Sequence, residues 1–135
     1  HRDLHSFPTR RSSDLKIIFL GEREDVPQIL NNLDAFIYAT KYDTFGIAVI
    51  EALVSGIPVF LNDWETFLEI TQDGKDAIIY KTGNEQDLME KFMNFYKDRV
   101  YFEEKFQRQT IYIRDKFGIK EHIKQLQKVY EDIYD

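Results

Sequence analysis

Asp34–Phe60 reads DAFIYATKYDTFGIAVIEALVSGIPVF, and the predicted architecture rests on this part of the chain. Two short apolar runs, Ala35–Ala39 and Pro58–Leu61, lie on either side of a segment with helical spacing. Both runs are continuous rather than alternating, which is typical of strands buried on both faces of a parallel sheet. The segment between them predicts a helix that opens near Phe45–Gly46 and ends at Ser55–Gly56. The stretch therefore predicts a strand, a crossover helix and a second, parallel strand.

The same pattern extends in both directions from this unit. Lys16–Leu20 and Ala77–Tyr80 are further continuous apolar runs and are predicted to be strands. Asp25, with Pro27 shortly after it, predicts the start of a helix, and after Gly83 the apolar spacing is helical to the end of the chain. We therefore expect an α/β fold, with a Rossmann-like parallel sheet, flanking helices and a helical C-terminus. A sheet this small predicts the later part of a doubly wound domain.

Composition excludes several classes of function. The chain has 135 residues, 43% of them hydrophobic, which allows one folded domain. Its net charge is -6, so no broad nucleic-acid interface is expected, because such binders cluster Lys and Arg against phosphates. The absence of cysteine removes disulfides, thiolate zinc sites and cysteine nucleophiles. No apolar run approaches the roughly 20 residues of a membrane span and no signal peptide is visible, so the cytoplasm is the expected compartment.

Residues 1–15 differ in composition from everything after them. They read HRDLHSFPTRRSSDL, with a cluster of Arg and Ser and no apolar periodicity. A reverse translation of His5–Leu15 resembles a common short-read sequencing adapter, so we interpret residues 1–15 as a foreign, disordered segment and place the domain at 16–135. The alternative is a genuine flexible arm with a basic patch at Arg10 and Arg11. Either interpretation leaves the segment out of the fold.

The loop after Ala35–Ala39 is the first place to look for chemistry, because ligands of such sheets bind at the carboxyl ends of the strands. Asp43 or Thr44 can cap the following helix. The free N–H groups of Phe45–Ile47 and the helix dipole would then favour an anion such as a diphosphate. Gly46 has no Cβ, so a ligand can approach its backbone closely. The loop therefore suits a sugar phosphate.

Two carboxylates accompany this loop. The predicted helix carries Ile47, Ile50 and Val54 on one apolar face, and Glu51 comes one turn after Ile47. Asp43 lies before the helix, so both carboxylates can face one cleft and accept hydrogen bonds from ribose hydroxyls, as acidic residues do in dinucleotide-binding folds. On spacing alone, an acidic N-cap and an exposed helix glutamate are the better interpretation of the pair.

Asp34–Phe60 resembles the donor-site signature of retaining GT-B glycosyltransferases of the group 1 (family 4) type. In that family an acidic residue, a Phe-Gly turn, a helix glutamate and a Gly-x-Pro-Val strand entry follow in this order. Lys16–Val26, KIIFLGEREDV, resembles the strand and loop that precede the signature. The resemblance continues through Asn62–Ile70 and Gly74 and loosely into the C-terminal helices, so it covers nearly all of 16–135. It implies the C-terminal, donor-binding half of a GT-B fold.

The resemblance also assigns roles to single residues. Glu51 is similar to the glutamate that holds the ribose hydroxyls, and Asp43 stands where the family usually has a glutamate that contacts the transferred sugar. Asp in place of Glu shortens this reach by one methylene. Glu69 occupies a position that lies near the donor pocket in the family. The implied site therefore has Asp43 as its catalytic residue and Phe45, Gly46, Ile47, Glu51 and Glu69 as donor-binding residues.

The implied activity is hexosyl transfer from a UDP- or GDP-sugar, with retention, to a glycan or lipid-linked acceptor in bacterial polysaccharide assembly. No metal or other cofactor is expected. Asp63–Trp64–Glu65 is interpreted as a helix start capped by Asn62 or Asp63 rather than as a metal motif. The family's acceptor-binding N-terminal domain and a basic pair for the diphosphate would lie upstream, so we expect an N-terminally truncated chain that is inactive alone. Peripheral association with the inner face of the membrane would reside in that upstream half.

Two other classes of protein use similar folds. One is a sugar-nucleotide epimerase, although the histidines and acids that its chemistry would need are not found near these strands. The other is a non-catalytic interaction module of the receiver or flavodoxin type, and a receiver would need clustered acids after its first strand and a lysine after a late one. Fold analogy alone does not choose among the three. The group of Asp43, Phe45–Gly46 and Glu51 favours the transferase.

Overall fold

The structure is a computed structural model that describes residues 17–42 and 46–118, together with 124, 127–129 and 131–133. The interpretation of residues 1–15 as foreign falls outside these residues and stays a prediction. In chain order the elements are α1 (Val26–Asn31), β1 (Phe36–Tyr38), α2 (Ile47–Ser55), β2 (Val59–Asn62), α3 (Glu65–Ile70), β3 (Ile78–Tyr80), α4 (Glu85–Lys97) and α5 (Arg99–Phe117).

The three strands form one parallel sheet in the order β1-β2-β3. Phe36 lies opposite Val59, and Phe60 lies opposite Ile78, so β2 is hydrogen-bonded on both sides. Each strand is joined to the next by a helix, as parallel pairing requires. The α/β class, the parallel sheet and the helical C-terminus are confirmed, the last through α4 and α5.

The prediction of a strand at Lys16–Leu20 is wrong for residues 17–20, the part of it that the structure describes. Residues 17–20 have no strand assignment, and no described ladder includes them. Their apolar side chains are exposed, Ile17 most of all at 74%. A strand needs a neighbour to bond its backbone groups, and the local apolar pattern cannot supply one. Lys16 lies outside the described residues.

The first helix begins where its sequence predicts. Asp25 is the N-cap residue of α1, and a proline occupies the first turn. The Asp25 side chain makes no capping bond, because its two carboxylate oxygens accept from Arg23 at 2.7 and 2.8 Å. The start of α1 therefore depends on backbone geometry and proline rather than on a side-chain cap.

The buried face of α2 differs from the predicted apolar face. Val49, Ala52 and Leu53 are buried, whereas Ile47 is 66% exposed. Seven of the nine residues in IAVIEALVS are apolar, so the spacing alone does not single out one face. Packing of α2 against α5, α1 and β2 decides which side is buried.

Helix α5 satisfies carbonyl groups at the ends of two other helices. Its Arg114 Nε donates to the Val54 carbonyl at 3.2 Å, near the end of α2, and Lys116 Nζ donates to the Ile70 carbonyl at 3.0 Å, at the end of α3. Such terminal carbonyls have no partner within their own helix. The long C-terminal helix therefore fixes the two helices whose N-termini point toward the carboxyl edge of the sheet.

A polar cluster around the buried Asp76 joins α5 to the turn after α3. Asp76 is 3% exposed, and its carboxylate accepts from the Tyr112 hydroxyl and, at 3.1 Å, from Gln72 Nε2. Its backbone carbonyl accepts from Gln109 Nε2 at 2.7 Å. Burial of the hydroxyl and then the bond to Asp76 raise the pKa of Tyr112 to about 12. The protonated phenol is therefore the form that stabilises the fold.

In Tyr112→Phe the free energy of unfolding is expected to fall less steeply with pH in the alkaline range. A raised pKa means that the phenol contributes fully below its ordinary value of 10.0 and loses this contribution as the pH rises toward about 12. Over that interval the free energy of unfolding should fall less in Tyr112→Phe than in the wild type, measured by urea unfolding. At neutral pH the variant should be less stable by about 1–3 kcal/mol, since Asp76 loses a donor. Tyr96→Phe, at an exposed tyrosine of α4, is the control, and parallel slopes in Tyr112→Phe and wild type would contradict the prediction.

Candidate functional site

The carboxyl ends of all three strands meet at one edge of the sheet, because the strands are parallel. β1 ends at Tyr38, β2 at Asn62 and β3 at Tyr80. The chain passes from β1 through a loop to the N-terminus of α2, so this helix begins at the same edge. Any ligand bound there would meet the first turn of α2.

Asn62 links the ends of the three strands. Its side chain is 1% exposed, and its Oδ1 accepts from the Thr40 backbone N–H at 3.1 Å. Its Nδ2 donates to the Thr40 carbonyl at 2.8 Å and to Thr82 Oγ1 at 2.9 Å. One carboxamide therefore holds the chain after β1 and the chain after β3 to the end of β2.

Asp63 strengthens the same connection. Its Oδ1 accepts from the Thr82 backbone N–H at 2.8 Å and from Thr82 Oγ1 at 2.6 Å. The hydroxyl bond first, and the backbone bond second, hold the pKa of Asp63 below its ordinary value. The predicted capping of the next helix by Asn62 or Asp63 is wrong: the N-cap of α3 is Trp64 and has no side-chain cap. Both polar side chains are already bonded to Thr40 or Thr82.

Gly46 is the N-cap of α2 and has φ 63° and ψ 38°, a left-handed conformation that favours glycine. It is buried, and a Cβ at this position would lie 2.9 Å from Ile70 Cδ1 and 3.5 Å from Phe67 Cε1. The missing Cβ therefore also lets α3 pack against the start of α2. Close approach of a ligand is the only role that the sequence predicts for this glycine.

The structure describes four of the six predicted site residues. Gly46 is buried at the start of α2, while Ile47 and Glu51 lie exposed one turn apart on its outer face. Glu69 is exposed on α3, next in sequence to the residue that packs against Gly46. Asp43 and Phe45 lie outside the described residues. The exposed positions of Glu51 and Glu69 leave both carboxylates accessible to a ligand.

Sequence reasoning missed the part of the site that Thr40, Asn62 and Thr82 form. Thr40 and Thr82 each come two residues after the end of a strand, and Asn62 is the last residue of the strand between them. This equal placement of hydrogen-bonding residues after parallel strands is a signal that could have predicted the link. Asn62 was instead interpreted as a helix cap, since Asn is common in both positions.

Among residues 17–42, 46–118 and the described part of the C-terminal segment, no three His, Asp or Glu side chains are grouped as a metal site would require. Over the same residues, no helix has the length and apolar character needed to cross a bilayer.

Comparison with solved structures identifies the class of fold. The chain superimposes on Anabaena HepE, solved in complex with UDP and glucose, with a TM-score of 0.77 and 20% sequence identity. The match covers 85% of this chain and 32% of HepE. At this identity the likeness establishes the fold alone, a Rossmann-like domain of the GT-B type.

The family follows from the sequence. Residues 12–116 match the model described as glycosyl transferases group 1, and the chain belongs to this family. A relative in Campylobacter jejuni, N,N'-diacetylbacillosaminyl-diphospho-undecaprenol alpha-1,3-N-acetylgalactosaminyltransferase, is 31% identical over 80 residues, which are 59% of this chain and 21% of that protein. The lipopolysaccharide core biosynthesis mannosyltransferase LpsB of Rhizobium meliloti is 23% identical over 120 residues, 87% of this chain and 34% of LpsB. The chain thus spans about a fifth to a third of the length of these relatives.

Gly46→Ala is expected to destabilise the chain by about 1–2 kcal/mol, because an alanine resists a left-handed backbone. Gly83→Ala is the matched control: Gly83 has φ 74° with open space around it, so that variant measures backbone strain alone. Gly46→Ala should cost about 1 kcal/mol more than the control, since its Cβ meets Ile70. Urea unfolding measures both.

Ile70→Val separates the backbone strain at Gly46 from the steric clash with Ile70. The change removes Cδ1, the atom nearest the new Cβ, so Gly46→Ala should cost less in the Ile70→Val background than in the wild type. Equal costs in the two backgrounds would show that the packing of α3 does not constrain Gly46.

Proposed function

We propose that this chain forms the site for the nucleoside diphosphate of a sugar donor in a retaining glycosyltransferase of the hexosyltransferase type. The observation that carries the proposal is the first turn of α2, with Gly46 and the exposed Glu51, at the carboxyl edge of a GT-B sheet. The donor is a UDP- or GDP-sugar, and the acceptor is a glycan or a lipid-linked glycan. No metal ion or other cofactor takes part.

The diphosphate is placed at the N-terminus of α2. The first-turn N–H groups of this helix have no acceptor within it, and the nine-residue helix adds the positive end of its dipole. This end is equivalent to only about half a charge, so the binding of a diphosphate by this chain is weak. The negative charge that forms on the leaving diphosphate is stabilised by the same N–H groups as the anomeric bond breaks.

The ribose is placed against Glu51. This carboxylate lies on the exposed face of α2, one turn after Ile47, where it can accept from two vicinal hydroxyls. Asp43 is assigned to the transferred sugar, and Phe45, Ile47 and Glu69 are assigned to donor binding. The transfer passes through an oxocarbenium-like transition state and retains the anomeric configuration.

The relatives support the choice of donor and acceptor. HepE was solved with UDP and glucose and also with UDP-glucose, which makes UDP-sugars the first donors to test. The Campylobacter relative is named for a diphospho-undecaprenol acceptor, and LpsB for lipopolysaccharide core biosynthesis. These names favour a lipid-linked or surface glycan acceptor in bacterial polysaccharide assembly. We further propose that the enzyme acts in the cytoplasm, at the inner face of the membrane.

Glu51→Gln is expected to weaken nucleotide binding by about tenfold or more, since hydrogen bonds to a charged acceptor contribute about 1.5–3 kcal/mol. The measurement is a titration of the chain with UDP and GDP by ligand-observed NMR. Repeating it with 2′-deoxy-UDP tests the contact, because removal of one hydroxyl should shrink the effect of Glu51→Gln. Glu90→Gln, on the exposed side of α4, is the control and should bind as the wild type does. Binding that is indifferent to Glu51→Gln would place the ribose elsewhere.

Asp43→Asn is expected to lower the affinity for the sugar part of the donor without changing the affinity for the nucleotide. UDP should bind this variant as it binds the wild type, whereas the added affinity of a UDP-sugar over UDP should fall, because Asp43 is assigned to the transferred sugar. Asp43→Glu, which restores the family's usual residue, should keep that added affinity. An equal loss for UDP and UDP-sugar in Asp43→Asn would assign the residue to the nucleotide instead.

A further inference from the structure

We propose that Asn62 is a positioning residue of the donor site, whose carboxamide fixes Thr40 at the start of the loop between β1 and α2. The inference rests on the proposed function, because it assumes that this loop contacts the donor. Asn62 itself is buried beneath the carboxyl edge and does not contact the ligand.

The two bonds to Thr40 extend the sheet beyond its last backbone pair. The ladder between β1 and β2 ends with Tyr38 opposite Leu61. Two residues later, the backbone N–H and carbonyl of Thr40 are both bonded by the Asn62 side chain, at 3.1 and 2.8 Å. A carboxamide carries a donor and an acceptor side by side, as a backbone peptide does. Asn62 thus replaces a backbone rung where the two chains diverge.

The orientation of the carboxamide is determined by its neighbours. A carboxylate can only accept, so the Thr82 hydroxyl donates to Asp63 at 2.6 Å and accepts from Asn62. The NH₂ side of Asn62 must therefore face Thr82 and the Thr40 carbonyl, and the oxygen must face the Thr40 N–H. This fixed orientation is what allows Asn62 to hold Thr40 in one position.

The loop is held at its other end by the segment that follows Asn62. Gly46 packs against Ile70 and Phe67 of α3, which begins three residues after Asn62. The Thr40 hydroxyl also accepts from the Tyr42 backbone N–H at 3.2 Å. Thr40, near the end of β1, and Gly46, at the start of α2, are therefore both held by one segment of the chain, β2 through α3.

The test compares Asn62→Ala with Tyr80→Phe. Asn62→Ala removes both bonds to Thr40, whereas Tyr80→Phe removes a hydroxyl that donates to the Tyr38 carbonyl at 3.1 Å, a cross-strand bond that does not touch the loop. Asn62→Ser is the second variant, since a shorter hydroxyl can bond one Thr40 group and keeps a polar atom in the buried site. The readouts are amide hydrogen exchange by NMR and affinity for UDP and GDP, with urea unfolding as the measure of global stability.

In Asn62→Ala the hydrogen-exchange rates of the Thr40 and Tyr42 amides should rise relative to the wild type. The rise should be more than tenfold larger than the loss of global stability alone would cause. Nucleotide affinity should fall about tenfold, and Asn62→Ser should lie between this variant and the wild type. Tyr80→Phe should leave both the loop amides and the affinity as in the wild type, whatever it costs in stability.

The other outcomes distinguish failure of the positioning role from failure of the proposed function. If the wild type binds nucleotide and Asn62→Ala and Asn62→Ser bind it equally well, the positioning role is wrong and the proposed function stands. If Tyr80→Phe weakens binding as much as Asn62→Ala does, the effect belongs to the sheet as a whole and the inference is overturned. If the wild type binds neither UDP nor GDP, the proposed function fails, and unchanged exchange at Thr40 in Asn62→Ala would then overturn the structural part of the inference as well.

Discussion

The rest of the structure depends on one constraint: β2 is buried on both of its faces and hydrogen-bonded along both of its edges. Val59, Phe60 and Leu61 are fully buried, and the Phe60 ring lies 5.9 Å from that of Phe92 and 5.5 Å from that of Phe95 in α4. Each such side chain contributes about 1.5–3 kcal/mol relative to exposure, so the strand position is strongly determined. The last residue of the strand is held in the same environment, although it is polar.

A polar side chain at the end of a buried strand has to find partners, because an unsatisfied amide in such a place costs about 1–3 kcal/mol. Asn62 finds them in Thr40 and Thr82, at the points where β1 and β3 give way to loops. The requirement that stabilises the core therefore also sets the geometry of the carboxyl edge. Stability and the geometry of this edge therefore depend on the same bonds.

The parts of the fold that the sequence predicted are those with local signals. The glycine and proline after α2, Gly56 and Pro58, mark a helix end and a strand entry whatever the rest of the chain does. Lys16–Leu20 shows the opposite case, since its pattern predicts a strand but pairing depends on a neighbour. The buried face of α2 was also missed, because an almost wholly apolar helix leaves the choice of buried face to its packing partners.

For the site, resemblance supplied the residue roles, and the exposed position of Glu51 on α2 is compatible with its role. The contacts beneath the site join residues distant in sequence, which no local pattern reveals.

The charge of the chain limits how this edge can recognise a donor. With a net charge of -6, the protein gains little from general attraction of an anion, and the end of α2 offers only about half a positive charge. A carboxylate such as Glu51 repels a bare phosphate but accepts hydrogen bonds from sugar hydroxyls. For the proposed function, this distribution of charge favours a ligand that brings hydroxyls with its diphosphate, as a nucleoside diphosphate sugar does, over inorganic phosphate.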